Sequence, residues 1–180
     1  VSGGGIYSIF SAPTFNNLTI SDNSSLSIGG AIYNNNCSFH TGGFSSKITF
    51  RNSIIWNNGL EPIQLLGSGC EESEIEIIFS NIDVSTSWLS GVGNFSQDPL
   101  FSLDYTLQAG SPCIDHGIAD FDGDGIDDIF YVGTAPDIGA FEYGCNSNTY
   151  DECGVCEGNN ASCLDCAGTP NGDAFEDNCN

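Results

Sequence analysis

The sequence predicts an all-β fold: a solenoid of short parallel strands followed by an irregular, disulfide-rich tail. Three observations carry this expectation. Residues typical of helices are scarce, since the 180 residues hold no Met and only 2 Lys and Arg together, while Gly reaches 23. Runs such as Glu74-Ile75-Glu76-Ile77 alternate with the two-residue period of a strand. Short motifs also return at spacings of 26 to 35 residues, the range of structural repeats that bury their apolar faces only against their neighbours.

The coils come first in the chain. Gly3-Gly4-Gly5-Ile6-Tyr7 returns 26 residues later as Gly29-Gly30-Ala31-Ile32-Tyr33. Thr14-Phe15-Asn16-Asn17, Thr49-Phe50-Arg51-Asn52 and Ile78-Phe79-Ser80-Asn81 form a second series, with Phe-to-Phe spacings of 35 and 29 residues. An aliphatic residue follows each Phe by five places, at Ile20, Ile55 and Val84. Glycine pairs are expected at the corners. Asn17, Asn52 and Asn81 share one place in this alignment, so their amides are expected to bond from coil to coil. A parallel β-helix satisfies all of this. A β-sandwich of the same strands is the alternative, but it does not require the Phe-x-Asn recurrence.

These units, with Ser53-Ile54-Ile55-Trp56-Asn57-Asn58, resemble the right-handed parallel β-helix repeat proteins, secreted or surface proteins that are often bacterial. Asp98-Pro99-Leu100-Phe101, Tyr105-Thr106-Leu107-Gln108-Ala109-Gly110-Ser111-Pro112-Cys113-Ile114-Asp115 and Asp137-Ile138-Gly139-Ala140-Phe141-Glu142 look like the closing block of such β-helices. The resemblance covers residues 1–144 and implies coils over 1–102, then a last coil and cap over 103–144. Residues 145–180 form a separate Cys-rich segment. It resembles the Cys- and Asp-rich repeats of bacterial exported proteins, loosely akin to thrombospondin type-3 calcium repeats.

Charge narrows the function. With 24 Asp and Glu against 2 Lys and Arg, the net charge is −22. A nucleic-acid partner would need a basic footprint, which is missing. No apolar run approaches the roughly 18 residues of a membrane span, so no membrane insertion is expected.

The acidity concentrates in Asp120-Phe121-Asp122-Gly123-Asp124-Gly125-Ile126-Asp127-Asp128, with five aspartates in nine residues. Bare carboxylates about 4 Å apart repel by roughly 4 kcal/mol at an effective dielectric near 20. Such a loop either splays in water or closes around a hard cation. The pattern follows the first half of a calcium loop, D-x-D-x-D-G. Asp120, Asp122 and Asp124 take its first, third and fifth positions, the Ile126 carbonyl its seventh and Asp128 its ninth. Tyr131 stands at the twelfth, where a bidentate Glu is usual. Asp127, Asp115 or Asp137 are therefore further candidates to complete the shell around Ca2+, with the weak affinity of extracellular modules, roughly 10⁻⁴–10⁻³ M.

Six of the nine cysteines, Cys145, Cys153, Cys156, Cys163, Cys166 and Cys179, crowd the tail. Two C-x-x-C pairs can make a tetrahedral zinc site, but so short and polar a segment has little core, which favours disulfide staples and an oxidising compartment. Asp151-Glu152-Cys153 returns as Asp177-Asn178-Cys179, and Asp165, Asp173 and Asp177 are candidate calcium ligands there. Cys37, Cys70 and Cys113 are left open between pairing and simple burial.

Catalytic groups are not assembled by the sequence. Lys47 and Arg51 are the only bases of the kind a lyase uses, Asp22, Asp83, Asp98 and Asp104 are scattered, and neither His40 nor His116 has a nucleophile partner. Tyr7, Tyr33, Trp56 and Trp88 can line a sugar-binding face, although a structural ladder is the simpler reading. The Asn-x-Ser/Thr sequons at Asn17, Asn23, Asn36, Asn94 and Asn160 are expected in any chain this rich in Asn and Ser. The function expected is non-catalytic: an extracellular or cell-surface scaffold for adhesion, with glycans or surface proteins as partners. The alternative is the C-terminal fragment of a polysaccharide lyase or hydrolase with catalytic coils upstream.

Overall fold

A computed structural model describes residues 4–9, 11–26, 29–35, 47–59, 61–66, 74–83, 88–145 and 149–173. Among these, the strands are β1 (Ile6–Ile9), β2 (Thr14–Asn16), β3 (Thr19–Ser21), β4 (Ile32–Asn35), β5 (Lys47–Arg51), β6 (Ile54–Trp56), β7 (Ile63–Leu66), β8 (Glu74–Ile78) and β9 (Asn81–Ile82). They form three parallel sheets, β1-β4-β7, β2-β5-β8 and β3-β6-β9. Each sheet thus takes one strand from each of three successive passes of the chain. The fold is all-β, a stack of parallel strands compatible with a β-solenoid.

Registration follows the inward side chains. Ile6, Ile32 and Ile63 align in the first sheet, Phe15, Phe50 and Ile77 in the second, and Ile20, Ile55 and Ile82 in the third. These residues make one apolar cluster between the sheets. A slip by one residue would turn each column outward, so burial fixes the register. Phe15 stacks on Phe50 inside, with centroids 5.1 Å apart, and Tyr7 stacks on Tyr33 outside, also at 5.1 Å. The recurrent glycines serve close approach: a Cβ on Gly30 would lie 1.7 Å from the Asn58 carbonyl oxygen.

The third pass corrects the sequence alignment. Phe50 pairs with Ile77 and Ile55 with Ile82, so the repeat is offset by two residues from one that matches Phe50 to Phe79. Phe79 instead follows β8 at the corner, with φ 47°, as Asn17 (51°) and Asn52 (47°) follow β2 and β5. Asn tolerates that left-handed conformation far better than a bulky Phe does. Val84, the other member of the expected series, lies outside the described residues.

The expected asparagine ladder is also corrected. Asn52 spends its amide on Ile118, donating from Nδ2 to the carbonyl (2.7 Å) and accepting at Oδ1 from the N–H (2.9 Å). Asn81 bonds Gln97 in the same two-way fashion. The polar ladder at this corner is built from other residues. Leu18 N–H donates to Ser53 Oγ, Ser53 N–H to Ser80 Oγ and Ser80 N–H to Asn94 Oδ1, at 3.3, 3.1 and 3.0 Å. It gives each coil's corner N–H an acceptor on the next layer.

The third sheet is covered on both sides. Its inner row joins the solenoid core, while outward-facing Ile54 packs with Leu107, Cys113 and Ile138 in a second cluster, with Trp56 and Phe95 at its margin. Two buried faces explain the unalternating Ile54-Ile55 doublet. The segment 111–145 therefore lies along the flank of the coils. It reaches the third pass where Asn81 Nδ2 donates to Cys113 Sγ (3.2 Å), the second where Gly139 N–H donates to the Asn52 carbonyl (2.8 Å), and the first where Ala140 N–H donates to Thr19 Oγ1 (3.0 Å). Cys113 is buried and unpaired, and burial pushes its thiol up to about 11. Cys37 and Cys70 lie outside the described residues.

Candidate metal centre

The acidic loop is an excursion from this flanking block. Asp128 N–H donates to the Ala119 carbonyl (2.9 Å) and Phe121 N–H to Asp128 Oδ2 (2.7 Å), which ties the two ends of the loop together. Arg51, at the end of β5, places its guanidinium 5.9 Å from the Phe121 ring centroid. That cation–π contact links the loop to the second sheet.

Within the loop, carboxylates fold the backbone around themselves. Asp120 accepts from Gly123 N–H at Oδ1 (2.6 Å) and from Gly125 N–H at Oδ2 (2.9 Å). Asp122 accepts from Asp124 N–H (3.1 Å), and Asp124 from Ile126 N–H (2.8 Å). Gly123 and Gly125 have φ of 80° and 88° with open space around them, so backbone conformation rather than crowding calls for glycine. Asp120, Asp122 and Asp124 each present a carboxylate oxygen within 4.8 Å of the others. The backbone N–H groups of Gly125 and then Gly123 hold the Asp120 carboxyl below its ordinary value, so it stays charged in the centre of a like-charged group. Three hard, anionic oxygens at one point suit an oxygen-seeking divalent cation.

Of the remaining candidates, Asp127, Asp128, Asp115 and Asp137 each accept another hydrogen bond. Asp127 Oδ2 accepts from Tyr131 OH (3.2 Å), and one oxygen of Asp128 holds the loop base. Ile126 exposes its side chain beside the triad. Asp115, partly buried, and Asp137, buried, belong to a hydrogen-bonded chain of acids in the flanking block. Asp137 accepts from Asp115 N–H (2.8 Å) and from Tyr143 N–H, Glu142 accepts from Asp137 N–H (2.9 Å) and Val132 N–H (3.2 Å), and Asp115 accepts from Thr134 N–H (2.7 Å). Only 1% of Asp137 and 5% of Glu142 are exposed. Burial raises both carboxyls, Glu142 to about 7, against the opposing pull of those N–H groups. Glu142 was missed as a structural acid, although it closes the quoted Asp137-to-Glu142 motif.

The tail uses its acids differently. Asp151 Oδ1 accepts from Cys153 and Val155 N–H (both 2.9 Å) and its Oδ2 from Asn160 N–H (2.6 Å). Fourteen residues on, Asp165 Oδ1 accepts from Ala167 (2.9 Å) and Thr169 (2.8 Å) N–H. The backbone repeats with it: Asp151 N–H donates to the Val155 carbonyl and Asp165 N–H to the Thr169 carbonyl. The signal D-x-x-G-x-x-x-G, at 151–158 and 165–172, was available in the sequence. Asp165, a candidate calcium ligand by sequence, is thus a turn staple, and a Cβ on Gly172 would lie 2.1 Å from its Oδ2. Asp173 is exposed, while Asp177 and Cys179 lie outside the described residues.

Disulfides join Cys145 to Cys156 and Cys153 to Cys163, and Cys166 is disulfide-bonded as well. Each C-x-x-C pair is thereby split between bonds, which leaves no thiolates for zinc. The bonds fit an oxidising compartment. Among the sequons, Asn23 and Asn94 have their Nδ2 committed to backbone carbonyls, and Asn160 accepts Glu152 N–H. Among the described residues no helix is long and apolar enough to cross a membrane.

Fold and site together define a class: an all-β protein of stacked parallel strands, carrying an aspartate triad on its flank and a disulfide-bonded tail. No protein-family model matches the chain, and neither the curated proteins nor the solved structures give a match.

Proposed function

We propose that this chain is part of an exported right-handed parallel β-helix protein, a non-catalytic extracellular or cell-surface scaffold for adhesion, steadied by calcium at Asp120, Asp122 and Asp124. The observation that carries the reading is the convergence of those three carboxylates within 4.8 Å on a loop braced by Gly123 and Gly125. The disulfides support an exported setting. The chain's two basic side chains hold structural positions, Lys47 paired with Glu76 (2.7 Å) and Arg51 over Phe121, which supports a role without catalysis.

Two experiments test the reading. Calorimetric titration should give one calcium per chain with Kd of roughly 10⁻⁴–10⁻³ M, and a trace without saturable heat would remove the calcium claim. A glycan-binding screen should identify a saturable ligand, and a blank screen removes glycans as the adhesion partner. Unsaturated product released from polyuronates would instead make the chain part of a lyase.

A further inference from the structure

We propose that the cleft between the first coil, the flanking block and the tail binds a small organic ammonium group. Its volume is about 250 Å³, and its walls include Asn17, Ile129, Phe130, Phe141, Glu142 and Tyr150. Asn17 comes from the corner after β2, Ile129 to Glu142 from the block, and Tyr150 from the tail. The site exists only once all three have folded together.

Two independent observations point to a ligand. Asn17 Oδ1 and Tyr150 OH are both buried without a hydrogen-bond partner, and both belong to residues of this one cleft. Among the described residues, Asn34 alone shares that condition, inside the solenoid. A buried polar atom left unpaired is costly until a partner reaches it. The second observation is charge. The wall contains the Glu142 carboxyl, held by the Asp137 and Val132 N–H groups, and no basic residue, while Lys47 and Arg51 are engaged elsewhere.

These facts select the ligand's chemistry. Asn17 Oδ1 can only accept, and the Tyr150 oxygen can accept. An anion would meet a chain of net charge −22, and a purely apolar ligand would leave both orphan atoms unpaired. An alkylammonium supplies several N–H donors and positive charge, and it is attracted to the aromatic rings of Phe130, Phe141 and Tyr150. The volume lies below the roughly 300–1,000 Å³ of drug-sized sites, so one head group with a few carbons fits. Phe130 is 60% exposed and packs on Tyr150 with centroids 5.9 Å apart. Displacement of this pair is the entry step. A free amine such as an amino sugar and a lysine side chain offered by another protein carry the same group.

The test is an NMR titration of the full chain with N-acetyl-lysine methylamide and with glucosamine. The Nε-acetylated analogue and glucose are neutral controls, and all runs are repeated with calcium and with chelator. Saturable shifts at Asn17, Phe130 and Tyr150, with Kd near 1 mM, are expected from at least one amine and from neither control. Which amine responds identifies the source. Phe130→Ala, which removes a ring at an exposed position, and Tyr150→Phe, which removes only the hydroxyl acceptor, should each weaken binding by roughly fivefold. No saturable shift from either amine, equal response to the neutral controls, or unchanged affinity in both variants would overturn the proposal. Because the chelator arm is included, this outcome is separable from failure of the calcium reading.

Discussion

The acidic loop and the tail are written in the same residues, Asp and Gly at short spacing, and put them to opposite use. In the tail Asp151 and Asp165 are each turned into their own hairpin, accepting three and two backbone N–H groups. In the loop the N–H groups are shared along Asp120, Asp122 and Asp124, and the three carboxylates face one another within 4.8 Å. The difference lies in spacing. Acids 14 residues apart each complete a separate turn, whereas acids two residues apart fall in the same one. Covalent staples accordingly belong to the tail, and the cation we propose belongs to the loop.

The largest expected effect tests the staples. Replacing Cys153 and Cys163 by Ser removes a closed loop spanning a sequence separation of 10 and should cost about 3 kcal/mol by the chain-entropy relation. Limited proteolysis should then cut the tail rapidly while the coils persist, and added calcium should not restore protection. Calcium rescue would mean that the tail, too, is a metal module.

The buried acids give a prediction of opposite sign to the loop's. Glu142 titrates near 7 in the folded chain against an ordinary 4.5. Its contribution to stability is therefore fully present below about 4.5 and is lost as pH rises through 7, by about 3 kcal/mol in all. Asp120, held below its ordinary value, contributes above that value and loses its contribution as pH falls. Denaturant midpoints followed from pH 4 to pH 8 should decline in the wild type and decline less in Glu142→Gln, where Asp137 alone keeps a raised carboxyl. A flat wild-type profile would show that Glu142 is solvated.

A smaller effect separates the two kinds of aspartate directly. Asp165→Asn should speed tail proteolysis roughly fivefold, the worth of about one hydrogen bond, with or without calcium. Asp122→Asn should leave stability in chelator unchanged and reduce only the calcium response. Identical behaviour of the two variants would erase the distinction.

Much of this was legible because it is local or columnar. The Ile6–Ile32, Phe15–Phe50 and Ile20–Ile55 pairings follow from like residues at like places, and the Asp120–Asp124 loop is contained in a few residues. The third coil was misread because an inward position accepts Ile77 as readily as Phe50, so the eye follows Phe79 to the wrong place. The flank of the third sheet was hidden for a different reason. Asn52 with Ile118 and Thr19 with Ala140 are contacts across 66 and 121 residues, and no periodicity announces them. The tail's half-repeat was masked because its second copy has Ala167 and Pro170 where the first has Cys153 and Cys156.

The central claim is that calcium belongs to the loop and steadies the flanking block. Thermal unfolding of the full chain in calcium and in chelator tests it most directly, beside a variant with Asp120, Asp122 and Asp124 all changed to Asn. At tenfold excess over Kd, calcium should stabilise the wild type by about 1.4 kcal/mol and leave the variant unmoved. Superimposable wild-type curves at saturating calcium, or an equal shift in the triple variant, would contradict the account.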